Sequence, residues 1–202
     1  MMQAFFLQQL VGKTDIYLID QIIKGRYKEN EIVLDAGCGN GRNLHWFLLN
    51  HLDCFGVDQS SEAISELSLQ YPSLDVDRWK VAEVEEMPYM DETFDHVICS
   101  AVLHFAKSKE HFYKMLTEIV RVLKPDGSLF IRMASNIGIE EHVVLIGDGN
   151  YLIPDETSRF LLTKMLLSDI LTQQPLLMLE PLKTVNVDDI RCMTTLVMQK
   201  KI

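Results

Sequence analysis

Val33-Leu34-Asp35-Ala36-Gly37-Cys38-Gly39-Asn40-Gly41 runs from apolar residues through an acid into three glycines at alternate positions. This is the pattern of a strand entering a nucleoside-binding turn. Glycine has no Cβ, so a Gly-x-Gly-x-Gly loop can take positive backbone angles and bring its backbone against a ligand. The spacing argues against a dinucleotide loop, whose third glycine follows two intervening residues. Arg42 occupies that position here, and the third glycine comes one residue early at Gly41.

Working outward, Cys54-Phe55-Gly56-Val57-Asp58 is a second short apolar run ending in an acid, about twenty residues beyond the first glycine. Gln59, Ser60 and Ser61 follow, then Ala63, Ile64 and Leu67 at helical spacing. Asp58 is therefore expected at a strand tip just before a capped helix. There it can accept both hydroxyls of a ribose, or it is a surface acid in a turn. The glycine loop at this distance favours the ribose.

Four further blocks follow in order: Ala82-Glu83-Val84-Glu85-Glu86-Met87-Pro88-Tyr89, Phe94 to His104, Leu123-Lys124-Pro125-Asp126-Gly127-Ser128-Leu129-Phe130-Ile131, and a C-terminal pair of apolar runs. With the first two, they make residues 30 to 200 resemble the class I S-adenosylmethionine-dependent methyltransferases. The resemblance implies an α/β fold, a doubly wound Rossmann-like sheet of seven strands. That sheet is mostly parallel, with one antiparallel strand near the edge and helices on both faces. It implies S-adenosyl-L-methionine as cofactor, S-adenosyl-L-homocysteine as product, and cofactor contacts at Asp35, Gly37, Cys38, Gly39, Gly41, Asp58, Gln59, Glu83, Val84 and Ser100. Within that set, Glu83 would take the adenine amino group and the Val84 backbone N–H a ring nitrogen.

Composition agrees with one domain over 1–202. The chain has 202 residues, 48% of them hydrophobic, enough to bury a core without covalent staples. Its cysteines, at 38, 54, 99 and 192, form no Cys-x-x-Cys pair and read as buried free thiols in a reducing cytoplasm. No signal peptide is evident at the N-terminus, and no apolar run reaches the roughly 20 residues needed to cross a bilayer. The net charge of −10 disfavours a nucleic-acid partner, which requires a positive surface to release counterions. Ser100-Ala101-Val102-Leu103 also stands where amino methylases of this family carry an Asn-Pro-Pro-Tyr-type motif. The expected partner is a small-molecule methyl acceptor, with neither nucleic acid nor membrane, and the chain a monomer or homodimer.

Phe112, Met115, Leu116, Ile119, Val120 and Leu123 form one face of a helix capped by Ser108 and ended by Lys124-Pro125-Asp126-Gly127. Residues 1–28, with Phe5, Phe6, Leu10, Ile16, Leu18, Ile19, Ile22 and Ile23, predict two helices around Gly12-Lys13-Thr14-Asp15. These form a lid hinged at Gly12, or they cover a sheet edge. Residues 135–163 are expected to form the wall of the substrate pocket. There, turn residues Pro154-Asp155-Glu156-Thr157 between two apolar runs predict a hairpin, with one longer helix from Thr157 as the alternative. Thr163 would cap a helix using Met165, Leu166, Ile170 and Leu171. Leu176 to Val187 and Cys192 to Met198 predict two strands, antiparallel because their connection is short.

The sulfonium makes the methyl carbon ready for in-line displacement, so the protein's main task is alignment. His104, just beyond the fourth strand, is the candidate catalytic base, or it shapes the pocket. His142, Tyr151 and Arg159 are candidate substrate contacts, Arg159 for a carboxylate or oxyanion. The other histidines show no metal-ligand spacing and no metal is expected. A cofactor-binding regulatory subunit without turnover is the alternative to an enzyme. A nucleotide-dependent oxidoreductase is disfavoured by the glycine spacing and by the terminal strand pair.

Overall fold

The computed structural model describes residues 2–202, so Met1 and the side chains before Phe6 lie outside the described residues. In chain order the elements are α1 (Met2–Val11), α2 (Ile16–Ile23), β1 (Ile32–Ala36), α3 (His45–Leu49), β2 (Asp53–Asp58), α4 (Ser61–Gln70), β3 (Trp79–Val81) and β4 (Phe94–Ser100). There follow α5 (Lys109–Val122), β5 (Leu123–Ser135), β6 (Val144–Gly147), β7 (Asn150–Leu152), β8 (Ser158–Phe160), α6 (Lys164–Gln173), β9 (Leu176–Met178), β10 (Lys183–Val187) and β11 (Arg191–Lys200). The main sheet has the order β3-β2-β1-β4-β5-β11-β10. Strands β1 to β5 pair in parallel, and β11 runs antiparallel to β5, β9 and β10. The expected mostly parallel sheet with one reversed strand near its edge is thus present.

Both faces of this sheet are covered, so successive residues enter opposite cores. Leu34, Val97 and Leu129 pack on the side of α5 and α6, with Phe112, Leu116 and Ile119. Val33, Ile98 and Phe130 pack on the other side with Leu18, Leu44 and Phe47. The Ser108 hydroxyl accepts the His111 N–H at 3.0 Å and starts α5. That helix passes straight into β5 at Leu123, rather than ending on the expected Lys124-Pro125-Asp126-Gly127 turn. Those residues form a bulge instead, where the register against β4 shifts between Phe94 and His96. A Cβ on Gly127 would lie 2.8 Å from the Lys124 carbonyl oxygen, which explains the glycine.

The C-terminal run from Leu176 to Val187 is two strands, not one. Both pair with β11, β9 opposite Met198–Lys200 and β10 opposite Arg191–Thr195. Between them lies Pro181, which has no N–H to give a ladder. The hairpin of residues 150–160 is present, and β6 extends it to a separate antiparallel sheet in the order β6-β7-β8. Thr163 caps α6, its hydroxyl accepting the Leu166 N–H at 3.0 Å. This helix buries Leu166, Leu167 and Ile170, whereas Met165 is 74% exposed.

The turn between α1 and α2 is tied to the main fold by hydrogen bonds and an ion pair. Thr14 and Asp15 are buried. The Thr14 hydroxyl donates to the Arg42 carbonyl at 3.2 Å, and the Asp15 N–H donates to Asn43 Oδ1 at 3.1 Å. Asp15 Oδ2 lies 2.6 Å from an Arg132 Nη on β5, with Tyr17 stacked over the guanidinium at 5.1 Å. All four cysteines are buried free thiols. Among the described residues, no helix is long and apolar enough to cross a membrane.

Candidate active site

A cavity of about 430 Å³ opens at the carboxyl ends of β1, β2 and β4. Its floor is the glycine loop. Gly37 has φ +78°, and a Cβ there would fall 2.3 Å from Val102, so this turn requires glycine twice over. Gly39 differs, since a Cβ built on it meets nothing within 4 Å and projects into open space. The loop is held by the Gly37 and Cys38 N–H groups donating to the Val57 carbonyl at 2.8 and 3.0 Å.

Two acids flank the loop. Asp58 lines the cavity and already supports the glycines: Oδ2 accepts the Gly39 N–H at 2.8 Å and Oδ1 the Ser60 N–H at 2.9 Å. Each carboxylate oxygen has a second lone pair for a further donor. Asp35 is not among the lining residues: it is buried behind the loop, 1% exposed, and neither of its oxygens has a hydrogen-bond partner. Burial pushes its carboxyl up to about 7, with Arg42 opposing and Asp58 adding to the rise. An orphaned carboxyl in this position is costly unless a donor arrives.

Of the residues singled out from sequence, Gly37, Cys38, Gly39, Asp58, Gln59, Glu83, Val84 and Ser100 line the cavity together. Gly41 supports them from behind, where a Cβ would meet Leu67 at 2.4 Å. Burial pushes the Cys38 thiol up, so it stays protonated. At the tip of β4, Ala101 holds φ +66° and its N–H donates to the Arg132 carbonyl at 2.7 Å. Left-handed backbone at a non-glycine residue costs of order 1 kcal/mol or more and gathers at functional sites.

His104 is not among the lining residues. It is 8% exposed, and its Nδ1 accepts the Ala134 N–H at 3.2 Å. Burial, reinforced by Arg159, pulls its pKa down to about 4. The ring is therefore neutral at physiological pH, with its one lone pair already engaged, a geometry that does not fit the expected general base. His142, Tyr151 and Arg159 also lie outside the cavity. His142 is exposed, Tyr151 faces Arg159 across β7 and β8, and Arg159 sits 5.2 Å over the Phe105 ring.

Arg42, Glu85, Phe105, Lys107 and His111 line the cavity and were not foreseen. Arg42 Nη2 donates to Ser100 Oγ at 3.3 Å. His111 Nδ1 accepts the Lys107 N–H at 3.0 Å, which leaves Nε2–H to donate to Glu85 Oε1 at 2.8 Å. Glu85 is held below the usual carboxylate range, because backbone, Glu83 and His111 hydrogen bonds outweigh the opposing effect of burial. These partners are 26 residues apart and meet only through the fold.

The family profile described as a methyltransferase domain matches residues 34–131, from β1 into β5. A tRNA (carboxymethyluridine(34)-5-O)-methyltransferase of Arabidopsis thaliana is 35% identical over 102 residues, 50% of this chain and 23% of that protein. The 27-O-demethylrifamycin SV methyltransferase of Amycolatopsis mediterranei is 30% identical over 128 residues, 58% of this chain and 46% of that protein. The match thus spans less than half the length of either curated relative. Among solved structures, a SAM-dependent methyltransferase from Methanosarcina mazei superposes with a TM-score of 0.73 at 20% identity, covering 90% of this chain and 97% of its own. That likeness shows the fold, and residues 34–131, which carry the glycine loop and its two acids, match the methyltransferase-domain family.

Proposed function

We propose that the chain transfers a methyl group from S-adenosylmethionine to a small-molecule acceptor. The observation that carries this is the orphaned, buried Asp35 beside a glycine loop whose middle residue faces open space. A carboxylate without a donor fits the ammonium of the cofactor's amino-acid end, and Gly39 admits its close approach. Asp58 would hold the ribose hydroxyls, and Glu83 with the Val84 N–H the adenine edge. The cofactor supplies a methyl carbon on a sulfonium, open to in-line displacement.

The residues of this chain then have the task of alignment, worth up to about 7 to 11 kcal/mol when geometry is ideal. Ser100, Ala101 and Val102 form the surface at the tip of β4. His104 braces that surface through Ala134 and takes no proton. Among the described residues, those up to Lys28 and the sheet β6-β7-β8 lie outside the residues that line the cavity, and that sheet packs on the main fold through Phe160, stacked 4.9 Å from Phe112 of α5. A small acceptor is favoured by the acidic net charge, although one relative is named as a tRNA methyltransferase.

Calorimetric titration with S-adenosylhomocysteine, with NAD as control, tests this reading. Micromolar binding of the first and none of the second is expected. Asp58→Ala should weaken binding some 10- to 150-fold, the loss of a charged hydrogen bond of about 1.5 to 3 kcal/mol. Unchanged affinity in the folded variant would remove the ribose assignment.

A further inference from the structure

We infer that the methyl acceptor is an anionic molecule with a flat apolar body, seated against Phe105 and held by Lys107 and Arg159. This rests on the methyl-transfer reading and names its substrate class.

Phe105 is 60% exposed and lines the cavity, so a large aromatic ring stands open at its mouth. An exposed ring bordering a concave site is apolar surface suited to a flat ligand. Two cations flank it. Lys107 lies two residues on and lines the same cavity. Arg159 Cζ sits 5.2 Å over the Phe105 ring, its Nη1 donating only to the neighbouring Ser158 carbonyl at 2.7 Å. The Lys107 carbonyl accepts from Asn150 Nδ2 at 3.1 Å, and Asn150 precedes Tyr151, the cross-strand partner of Arg159. The two cations therefore flank the same junction between the main fold and the small sheet.

Among the described residues, twelve lysines and arginines have a carboxylate within ion-pair distance, and Arg42, Lys107 and Arg159 are among the seven that do not. The acids around them hydrogen-bond to other donors and keep their charge, Asp155 acting on Arg159 at longer range. Glu85 takes His111, Asp148 takes the Lys109 N–H at 3.2 Å, and Asp155 takes the Thr157 N–H and hydroxyl at 2.9 and 2.6 Å. Two cations with no carboxylate within ion-pair distance, set beside an exposed ring, are free to contact a negative group on a ligand. The guanidinium supplies a planar fork and the ammonium a point charge, both suited to a carboxylate.

Three probes of one shape separate charge from body: 4-hydroxyphenylacetate, its neutral amide, and tyramine. Each is titrated into protein saturated with S-adenosylhomocysteine, whose own binding is measured first and reports on the methyl-transfer reading separately. The anion should bind at least tenfold more tightly than the amide, and tyramine should bind weakest. In the variant carrying both Lys107→Ala and Arg159→Ala, again saturated with S-adenosylhomocysteine, that order should collapse. Tyramine binding as tightly as the anion, an anion preference surviving in the double variant, or no binding by any of the three overturns the inference. Displacement of the anion by a short single-stranded RNA assigns the cations to phosphate and overturns it as well.

Discussion

If Asp35 meets the cofactor's ammonium as proposed, it couples cofactor binding to pH. Its carboxyl is raised to about 7 in the free protein, and an ammonium placed beside it favours the ionised form. Binding therefore releases a proton wherever free Asp35 is protonated. S-adenosylhomocysteine affinity should rise about tenfold from pH 6 to pH 8 and be level above that. Asp35→Asn should bind more weakly and lose this dependence, and equal affinity at both pH values in the unaltered protein would separate Asp35 from the ligand. His104 acts in the opposite direction, on stability. Its folded pKa of about 4 lies below the ordinary 6.5, so the unfolded chain binds the extra proton. The stability that neutral His104 contributes is present above pH 6.5 and lost as pH falls towards 4, about 2 kcal/mol of it between pH 7 and 5. His104→Asn retains an acceptor for the Ala134 N–H and does not titrate, so its melting temperature should fall less over that interval. An identical fall in both proteins would mean that other groups carry the acid sensitivity.

Elements of this fold are tied together by ion pairs of unequal weight. Asp15 and Arg132 join the start of α2 to β5 across 117 residues, with the carboxylate almost wholly buried. Arg132→Met leaves that charge without a partner and should cost about 3 kcal/mol or more in urea denaturation. Lys24, by contrast, meets Asp20 and Glu180 with its side chain 41% exposed, and Lys24→Met should cost under about 1 kcal/mol. Equal losses would show that burial does not set their weight. Elements bordered by strong local signals were legible in the sequence: the glycine loop, the helix capped at Ser108, and the hairpin around Pro154-Asp155-Glu156-Thr157. β6 was not, because Val144, Leu145 and Ile146 are all more than half exposed and so carry no inside-outside alternation. His104 and Phe105 show the same limit within one short 3-10 turn, Leu103–Phe105. Both lie near the expected methyl position, and only the turn's orientation decides that the histidine is buried and the phenylalanine open. Glu85 and His111 are legible only once β3 and α5 are assembled.

At the scale of the whole molecule, charge and topology divide the surface unevenly. The doubly wound sheet puts every strand tip that carries a chemical group at one end, and the unpaired cations Arg42 and Lys107 line the cavity there. Elsewhere lysines and arginines are largely matched by acids, under a net charge of −10. A protein holding several phosphates along an RNA strand releases a counterion for each, so its affinity falls steeply with salt, with a slope of about −0.7 per phosphate contact. With Arg159 beside Phe105, three cations at one site neutralise at most three phosphates, too few for stable binding to an extended strand. Filter binding of total tRNA at roughly 50 mM and 200 mM salt should therefore show no retention at micromolar protein, with S-adenosylhomocysteine present to complete the site. Retention at low salt that is lost at high salt would reveal a basic track outside the cavity and replace the small acceptor with RNA. Absence of retention, with S-adenosylhomocysteine still bound, keeps the acceptor within the dimensions of the cavity, where Phe105 and its two flanking cations select it.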